Sequence, residues 1–127
     1  MASTYLALHC HIVFSTKDRL PLIEPDWRDR LHAYMGGVLH DLEVIPESIG
    51  GTVDHAHILV GFRATHAIAG IVHDVKRGSS AWVHDELKHP KFAWQTGYAA
   101  LTVSPSQLEV VKQYIEKQEE HHHHRSF

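Results

Sequence analysis

Two histidines separated by one residue carry the clearest chemical signal in this sequence. His55 and His57 flank Ala56, and alternate side chains of a β-strand point to the same face, so the two imidazoles would lie side by side. Two imidazoles at this spacing can bind a single cation. The chain contains 14 histidines, so two ordinary exposed histidines are the alternative. Asp54 before the pair and the apolar run 58–60 after it favour a rigid central strand.

A tyrosine near the end of the chain is the second candidate. Tyr114 and Gln118 are four residues apart and would share one helix face with Val110. The neighbouring apolar stripe of this helix consists of Leu108, Val111 and Ile115. A tyrosine at the edge of such a stripe is usually a packing residue. From these residues alone packing is the favoured interpretation, and a nucleophilic hydroxyl is the alternative.

Basic residues form two small groups. Lys17 and Arg19 follow the first predicted strand, and Lys76 and Arg77 lie on the second predicted helix. Local positive charge can position phosphate groups, whereas a solvated charged face is the alternative. The formal net charge is −3 with neutral histidines, which counts against broad electrostatic binding of nucleic acid.

The length of 127 residues suits one compact domain spanning residues 1–127. Hydrophobic periodicity predicts strands at 5–14, 44–53, 55–62 and 97–103. Pro25 opens the first predicted helix and Thr65 caps the second. Ser104 to Gln107 has the form of a capping box, so the last helix is predicted from there to about Glu120.

This order of elements predicts an α+β fold, a ferredoxin-like or RRM-like split βαβ antiparallel sheet. Both crossover helices would cover one face, and an added C-terminal helix would carry Tyr114. The histidine face should then point away from the crossover helices and be exposed. Since the first and third strands are neighbours in this fold, His9 and His11 are expected beside His55 and His57.

The composition is that of a cytoplasmic protein without a membrane association. No apolar run approaches the roughly 20 residues that span a bilayer, and the first residues lack the features of a signal peptide. The single cysteine, Cys10, lies within an apolar alternation that predicts a buried thiol. A purification tag is one explanation for the run His121 to His124.

Five segments, taken in order, resemble the small HUH-type single-tyrosine transposases of bacterial insertion sequences, the IS200-like transposase family. The segments are HCHIVFSTK at 9–17, VDHAHILV at 53–60, VKRGSS at 75–80, WQTGY at 94–98 and YIEKQEEHH at 114–122. The resemblance covers nearly the whole chain. The His121–His124 run is longer than the family's usual pair, and the end after Phe127 suggests a trimmed or domesticated copy.

The resemblance implies a transposase that cleaves and rejoins single-stranded DNA through a 5′-phosphotyrosine. Tyr114 falls on the nucleophile, and His55 and His57 fall on the paired histidines of the HUH motif. Gln118 falls on the helix residue that completes the metal site, which would take Mg²⁺ or Mn²⁺. The expected substrate is the hairpin ends of a mobile element. The family also implies a homodimer, in which the tyrosine helix of one subunit can complete the histidine site of the other.

The resemblance further implies a set of DNA-binding residues. His11 would border the site, either contacting phosphate or supporting a ligand, and Ser80 belongs to a small polar pair with Ser79, for which helix packing is an equal alternative. The predicted DNA-binding residues are His11, Lys17, Arg19, Lys76, Arg77 and Ser80. Two rival functions stay open: a non-catalytic or domesticated single-stranded nucleic-acid-binding protein of the same fold, and a small metal-dependent hydrolase in which Tyr114 is structural.

Overall fold

A four-stranded antiparallel sheet organises residues 7–117, the part of the chain that the computed structural model describes. The sheet order is β2-β3-β1-β4, so the first and third strands are central, as predicted. The α+β ferredoxin-like fold is confirmed. The elements are β1 (Leu8–Ser15), α1 (Pro25–Asp41), β2 (Ile45–Gly51), β3 (His55–Phe62), α2 (Ile68–Glu86), β4 (Ala99–Thr102) and α3 (Leu108–Glu116), with 3₁₀ turns at Lys17–Arg19 and Pro105–Gln107.

The main core lies between one face of the sheet and the crossover helices α1 and α2. Alternation along the central strands sends every second side chain to this face. The strand residues buried there are Cys10, Ile12, Phe14, Ala56, Ile58 and Val60. Leu31, Met35 and Leu39 of α1 and Ile71, Val72 and Val75 of α2 pack against them. Burial raises the pKa of the Cys10 thiol, which keeps it protonated as a small apolar side chain.

The opposite face of the sheet is covered by α3, which packs on β2 and β3 of its own chain. Leu59, Val103 and Ile115 form a second buried cluster there, with Leu108 and Val111 packed against its edge. Complete burial of a leucine or isoleucine contributes about 1.5–3 kcal/mol. This small cluster therefore fixes α3, and with it Tyr114, over the histidine face.

Two predicted helix starts were wrong. Thr65 does not cap α2, because residues 63–66 form a turn in which the backbone N–H of Arg63 donates to His66 Nδ1 at 2.9 Å; the helix begins at Ile68 after Ala67. Ser104 makes no side-chain cap bond to the backbone; its hydroxyl lies 3.1 Å from that of Ser106. A 3₁₀ turn consequently precedes α3.

Helix α3 extends to Glu116 in the described residues, and the predicted end at about Glu120 lies outside them. Ile115 is the last residue of this helix that packs into the apolar cluster, and a short helix depends on such packing for its stability. Within residues 7–117, no helix has the length and apolar character needed to cross a membrane.

Candidate active site

The paired histidines lie on β3, on the sheet face that α3 covers. Register places His57 opposite Val13 and His55 opposite Ser15, and the two imidazole centroids are 4.9 Å apart. Both residues are only 5% exposed. The prediction of an exposed histidine face was therefore wrong, because α3 folds back over this side of the sheet.

The turn between β2 and β3 fixes the orientation of the His55 ring. Nδ1 of His55 lies 2.7 Å from Asp54 Oδ1 and 2.9 Å from the hydroxyl oxygen of Thr52. The Thr52 hydroxyl in turn donates to Asp54 Oδ1 at 3.2 Å. Since a carboxylate only accepts, Nδ1 of His55 carries a proton, and in the tautomer that this contact selects the lone pair lies on Nε2. This is the tautomer in which Nε2 can ligate a metal.

Asp54 is ionised in this arrangement. Its burial raises the pKa of the carboxyl, but the hydrogen bond from His55 and the charge of Arg19 outweigh that effect and leave the pKa below its ordinary value. Arg19 approaches the carboxylate with a nitrogen–oxygen distance of 3.6 Å. Arg19 and Asp18 both adopt the left-handed conformation, with φ of 54° and 55°, which costs about 1–3 kcal/mol per residue. The tight turn brings the guanidinium of Arg19 to the site.

His57 is held by a second histidine from the neighbouring strand. Nδ1 of His57 lies 2.8 Å from Nε2 of His11, and the two rings are stacked with centroids 5.0 Å apart. Burial lowers the pKa of His11, so a neutral His11 can accept from His57. The expectation that His9 also lies beside the pair was wrong. His9 is opposite Gly61, and its Nε2 lies 3.9 Å from Glu47.

Tyr114 reaches the same cluster from α3. Its ring meets His57 edge to face with centroids 5.8 Å apart, and it meets His11 at 6.2 Å. The ring is partly buried against the cluster around Leu59 and Ile115. Tyr114 is therefore a packing residue, as the sequence alone favoured. It also lies beside the paired histidines of its own chain.

A cavity of about 370 Å³ opens in front of these residues. His55, His57, Tyr114 and Arg19 line it together with Ser15 and the segment 96–99. Cavities of about 300–1,000 Å³ are typical of small-molecule sites. The arrangement offers paired imidazoles, a phenol hydroxyl and a guanidinium to one bound group.

The other predicted site residues have different positions. Gln118 lies outside the described residues. Lys17 is exposed, and its backbone N–H donates to Ala93. Lys76 donates to the carbonyl oxygens of Gln95 at 2.8 Å and Gly97 at 2.6 Å, so it binds the backbone of the segment that walls the cavity. Arg77 and Ser80 line a separate groove beside α2. Their contacts with DNA stay predictions.

The side chains that could ligate a divalent metal fit such an ion in part. Two imidazoles whose orientation is fixed by hydrogen bonds to Asp54 and His11 are suitable ligands. Within residues 7–117, no three or more histidine, cysteine, aspartate or glutamate side chains are grouped to hold a metal ion. The predicted set contains just two such side chains, since its third member is an amide.

Sequence reasoning missed two contributors to the site. Thr52 was not considered, and Asp54 was taken as the residue that leads into the strand rather than as the group that orients His55. The signal was present in the spacing, since a carboxylate or hydroxyl next to a candidate histidine is the usual partner of its second nitrogen. The wall formed by residues 96–99 could not be predicted. It depends on the hydrogen bonds from Lys76 to Gln95 and Gly97, which lie 19 and 21 residues further along the sequence.

The chain matches the family model described as "Transposase IS200 like" over residues 4–118. It therefore belongs to the IS200-like transposase family. Membership of this family implies an enzyme that processes DNA. No curated protein matches the chain.

Two solved structures share the fold. One is a candidate transposase from Deinococcus radiodurans R1, with a TM-score of 0.74 and 22% identity, covering 93% of this chain and 96% of that chain. The other is a REP-associated tyrosine transposase bound to a REP hairpin, with a TM-score of 0.70 and 10% identity, covering 96% of this chain and 73% of that chain.

Proposed function

We propose that this protein cleaves and rejoins single-stranded DNA with Tyr114 as the nucleophile and with a divalent metal held by His55 and His57. The observation that carries the proposal is the meeting of Tyr114 with His57 in one cavity, with ring centroids 5.8 Å apart. Family membership supports DNA as the substrate. We also propose that residues 1–127 act as a single transposase domain.

The proposed reaction exchanges one phosphoester bond for another. The Tyr114 oxygen would attack the phosphorus, the phenol would lose its proton, and the 3′-oxygen of the neighbouring nucleotide would leave and gain a proton. The products are a 5′-phosphotyrosine and a free 3′-hydroxyl. Because the bond energy is kept in the phosphotyrosine, the same site can rejoin DNA without a nucleotide cofactor.

A tyrosine needs help in this reaction, since a phenol with a pKa of about 10 is a poor nucleophile at neutral pH. A bound Mg²⁺ or Mn²⁺ would supply that help by polarising the phosphate and stabilising charge in the transition state. His55 and His57 would hold the ion, and Gln118 would complete the set. Asp54 and His11 would fix the two imidazoles, and Arg19 would contact a phosphate oxygen.

The proposed partners follow from the same comparison. A neighbour of the same fold is a tyrosine transposase bound to a REP hairpin, so we propose a DNA hairpin at the end of a mobile element as the substrate. We propose the cytoplasm as its location, since a DNA substrate of this kind would be found there. We also propose a homodimer. Leu101 on the edge strand β4 is 62% exposed and Val110 on α3 is 61% exposed, and a second copy could cover exposed apolar side chains of this kind.

Trapping a covalent adduct tests the proposal against both rivals. The chain is mixed with end-labelled single-stranded hairpin DNA and Mg²⁺ or Mn²⁺, and the products are separated on denaturing gels. A labelled protein band together with cut DNA supports the tyrosine mechanism. Cut DNA without a band supports a hydrolase, and bound but uncut DNA supports a non-catalytic binding protein. Sedimentation at micromolar concentration tests the dimer, and a monomer would contradict it.

A further inference from the structure

A second groove lies on the other side of the wall that bounds the catalytic cavity. It has a volume of about 530 Å³ and runs between α2 and residues 92–98. Thr96, Gly97 and Tyr98 line both this groove and the catalytic cavity. A DNA strand that crosses these three residues would therefore have one nucleotide in the cavity and a neighbouring one in the groove.

The wall between the two is preformed. Gln95 donates its backbone N–H to Ser15 at 2.8 Å, and its side-chain oxygen accepts from the backbone N–H of Asp18 at 2.8 Å. Lys76 holds the carbonyl oxygens of Gln95 and Gly97 from the α2 side. Gly97 has a φ of +96°, a backbone conformation that residues other than glycine rarely adopt. A wall fixed on both sides reduces the entropy lost when a ligand binds.

The groove contains an aromatic surface that is also fixed. The indole N–H of Trp94 donates to the Ser79 hydroxyl at 2.9 Å, and its ring meets Phe14 and Phe92 edge to face at 4.8 and 5.1 Å. Trp94 nevertheless remains partly exposed and lines the groove. A tryptophan held in this way can stack on a planar ring without losing rotamer freedom of its own.

The rim of the groove carries one aromatic ring and one cation. Tyr98 is 44% exposed and, among the described residues, has no ring partner. Arg77 is exposed on α2 and makes no ion pair with a carboxylate of residues 7–117. Aromatic faces beside a free guanidinium suit an unpaired base and its phosphate, since bases stack on aromatic rings and a guanidinium pairs with a phosphate.

From this geometry we infer that the groove binds one unpaired nucleotide next to the scissile phosphate, with its base stacked on Trp94 and Tyr98 and its phosphate on Arg77. A base inside a duplex is stacked on both sides and cannot enter, so the groove selects single-stranded DNA. The inference rests on the proposed DNA substrate. It assigns Tyr98 a role in holding DNA, in contrast to the nucleophilic role of Tyr114.

Binding of a probe tests this without cleavage. The full chain carrying Tyr114→Phe is titrated with fluorescein-labelled dT12 in EDTA, and anisotropy gives the Kd. Tyr98→Ala should weaken binding about tenfold, and Tyr98→Phe should keep it, because stacking needs the ring and not the hydroxyl. Tyr34→Ala is the matched control, since Tyr34 is 38% exposed but stacks on Trp82 and lines neither pocket. Equal Kd values for Tyr98→Ala and Tyr34→Ala would overturn the inference.

Indole N–H resonances give a second readout that locates the DNA. The Trp94 resonance should shift on addition of dT12, and that of Trp82 should stay in place; a Trp82 shift with Trp94 unmoved would overturn the inference. Failure here is separable from failure of the proposed function. A Trp94 shift contradicts the Tyr114 mechanism alone if the unchanged chain forms no adduct, and an adduct formed by the unchanged chain without a Trp94 shift contradicts the groove alone.

Discussion

Gly50 of β2 lies directly beneath Ile115 of α3. A Cβ atom built at Gly50 would lie 2.5 Å from the Ile115 carbonyl oxygen and 2.8 Å from its Cγ2. The helix that carries Tyr114 can therefore approach the sheet this closely only because residue 50 has no side chain.

Gly50→Ala is expected to push α3 away from the sheet and to reduce cleavage strongly. The backbone carbonyl cannot yield as a flexible side chain would, and a small misplacement of a catalytic group can cost about 10²-fold in rate. Gly37→Ala is the control, because a Cβ atom added at Gly37 on α1 would meet no atom within 4 Å; it should stabilise the helix by about 0.5–1 kcal/mol. Cleavage assays and thermal melts of both variants check this, and equal activity would contradict the proposed positioning.

Asp54→Asn is expected to weaken metal binding about tenfold or more, because the charge that orients His55 is lost. Isothermal titration calorimetry with Mn²⁺ measures this affinity in the absence of DNA. Asp74→Asn is a matched control, since Asp74 also bonds the adjacent histidine, His73 Nδ1, at 3.2 Å but lies on the exposed surface of α2. An unchanged Mn²⁺ affinity in Asp54→Asn would show that Asp54 does not support metal binding.

His57→Ala is expected to abolish cleavage. Because His57 is 5% exposed and bonded to His11, the same change should also cost about 1–3 kcal/mol of stability by leaving a buried partner unsatisfied. Cleavage is therefore assayed at a temperature where circular dichroism shows the variant folded. His40→Ala, at an exposed histidine of α1, should retain both properties. Normal cleavage by folded His57→Ala would rule out the proposed metal site.

The stability of the fold is expected to depend on pH through the partly buried His32. Burial, assisted by the charge of Arg28, lowers its pKa to about 4, and its Nε2 is buried with no hydrogen-bond partner among the described residues. The unfolded chain binds a proton near pH 6.5 and the folded chain only near pH 4, so stability is complete above pH 6.5 and falls as the pH drops towards 4. The full loss is up to about 3 kcal/mol.

Urea unfolding between pH 4 and pH 7 measures this contribution. His32→Gln should flatten the loss of stability between pH 6.5 and pH 4. His40→Gln should not, because the His40 side chain on the same helix is 87% exposed. Parallel pH profiles for His32→Gln and the unchanged chain would show that His32 is not the group responsible.

The sequence predicted the arrangement of strands well and the environment of the site less well. Strict alternation placed His55 and His57 on one face, and helical spacing placed Tyr114 beside the apolar stripe of Ile115. Burial of the histidines was missed because it depends on where α3 packs, and that depends on the absence of a side chain at Gly50 and on the apolar contact with Leu59. These are tertiary contacts that periodicity does not encode.

The identity of the residue bonded to DNA tests the central claim most directly. Labelled single-stranded hairpin DNA is incubated with Mg²⁺ or Mn²⁺ and with the unchanged chain, Tyr114→Phe or Tyr98→Phe. Phenylalanine keeps the ring that packs on His57 and removes only the hydroxyl. We predict that Tyr114→Phe binds DNA but neither cuts it nor forms an adduct. We predict that Tyr98→Phe both cuts the DNA and forms the adduct. An adduct that persists in Tyr114→Phe and disappears in Tyr98→Phe, or cutting by Tyr114→Phe at the normal rate, would contradict the assignment.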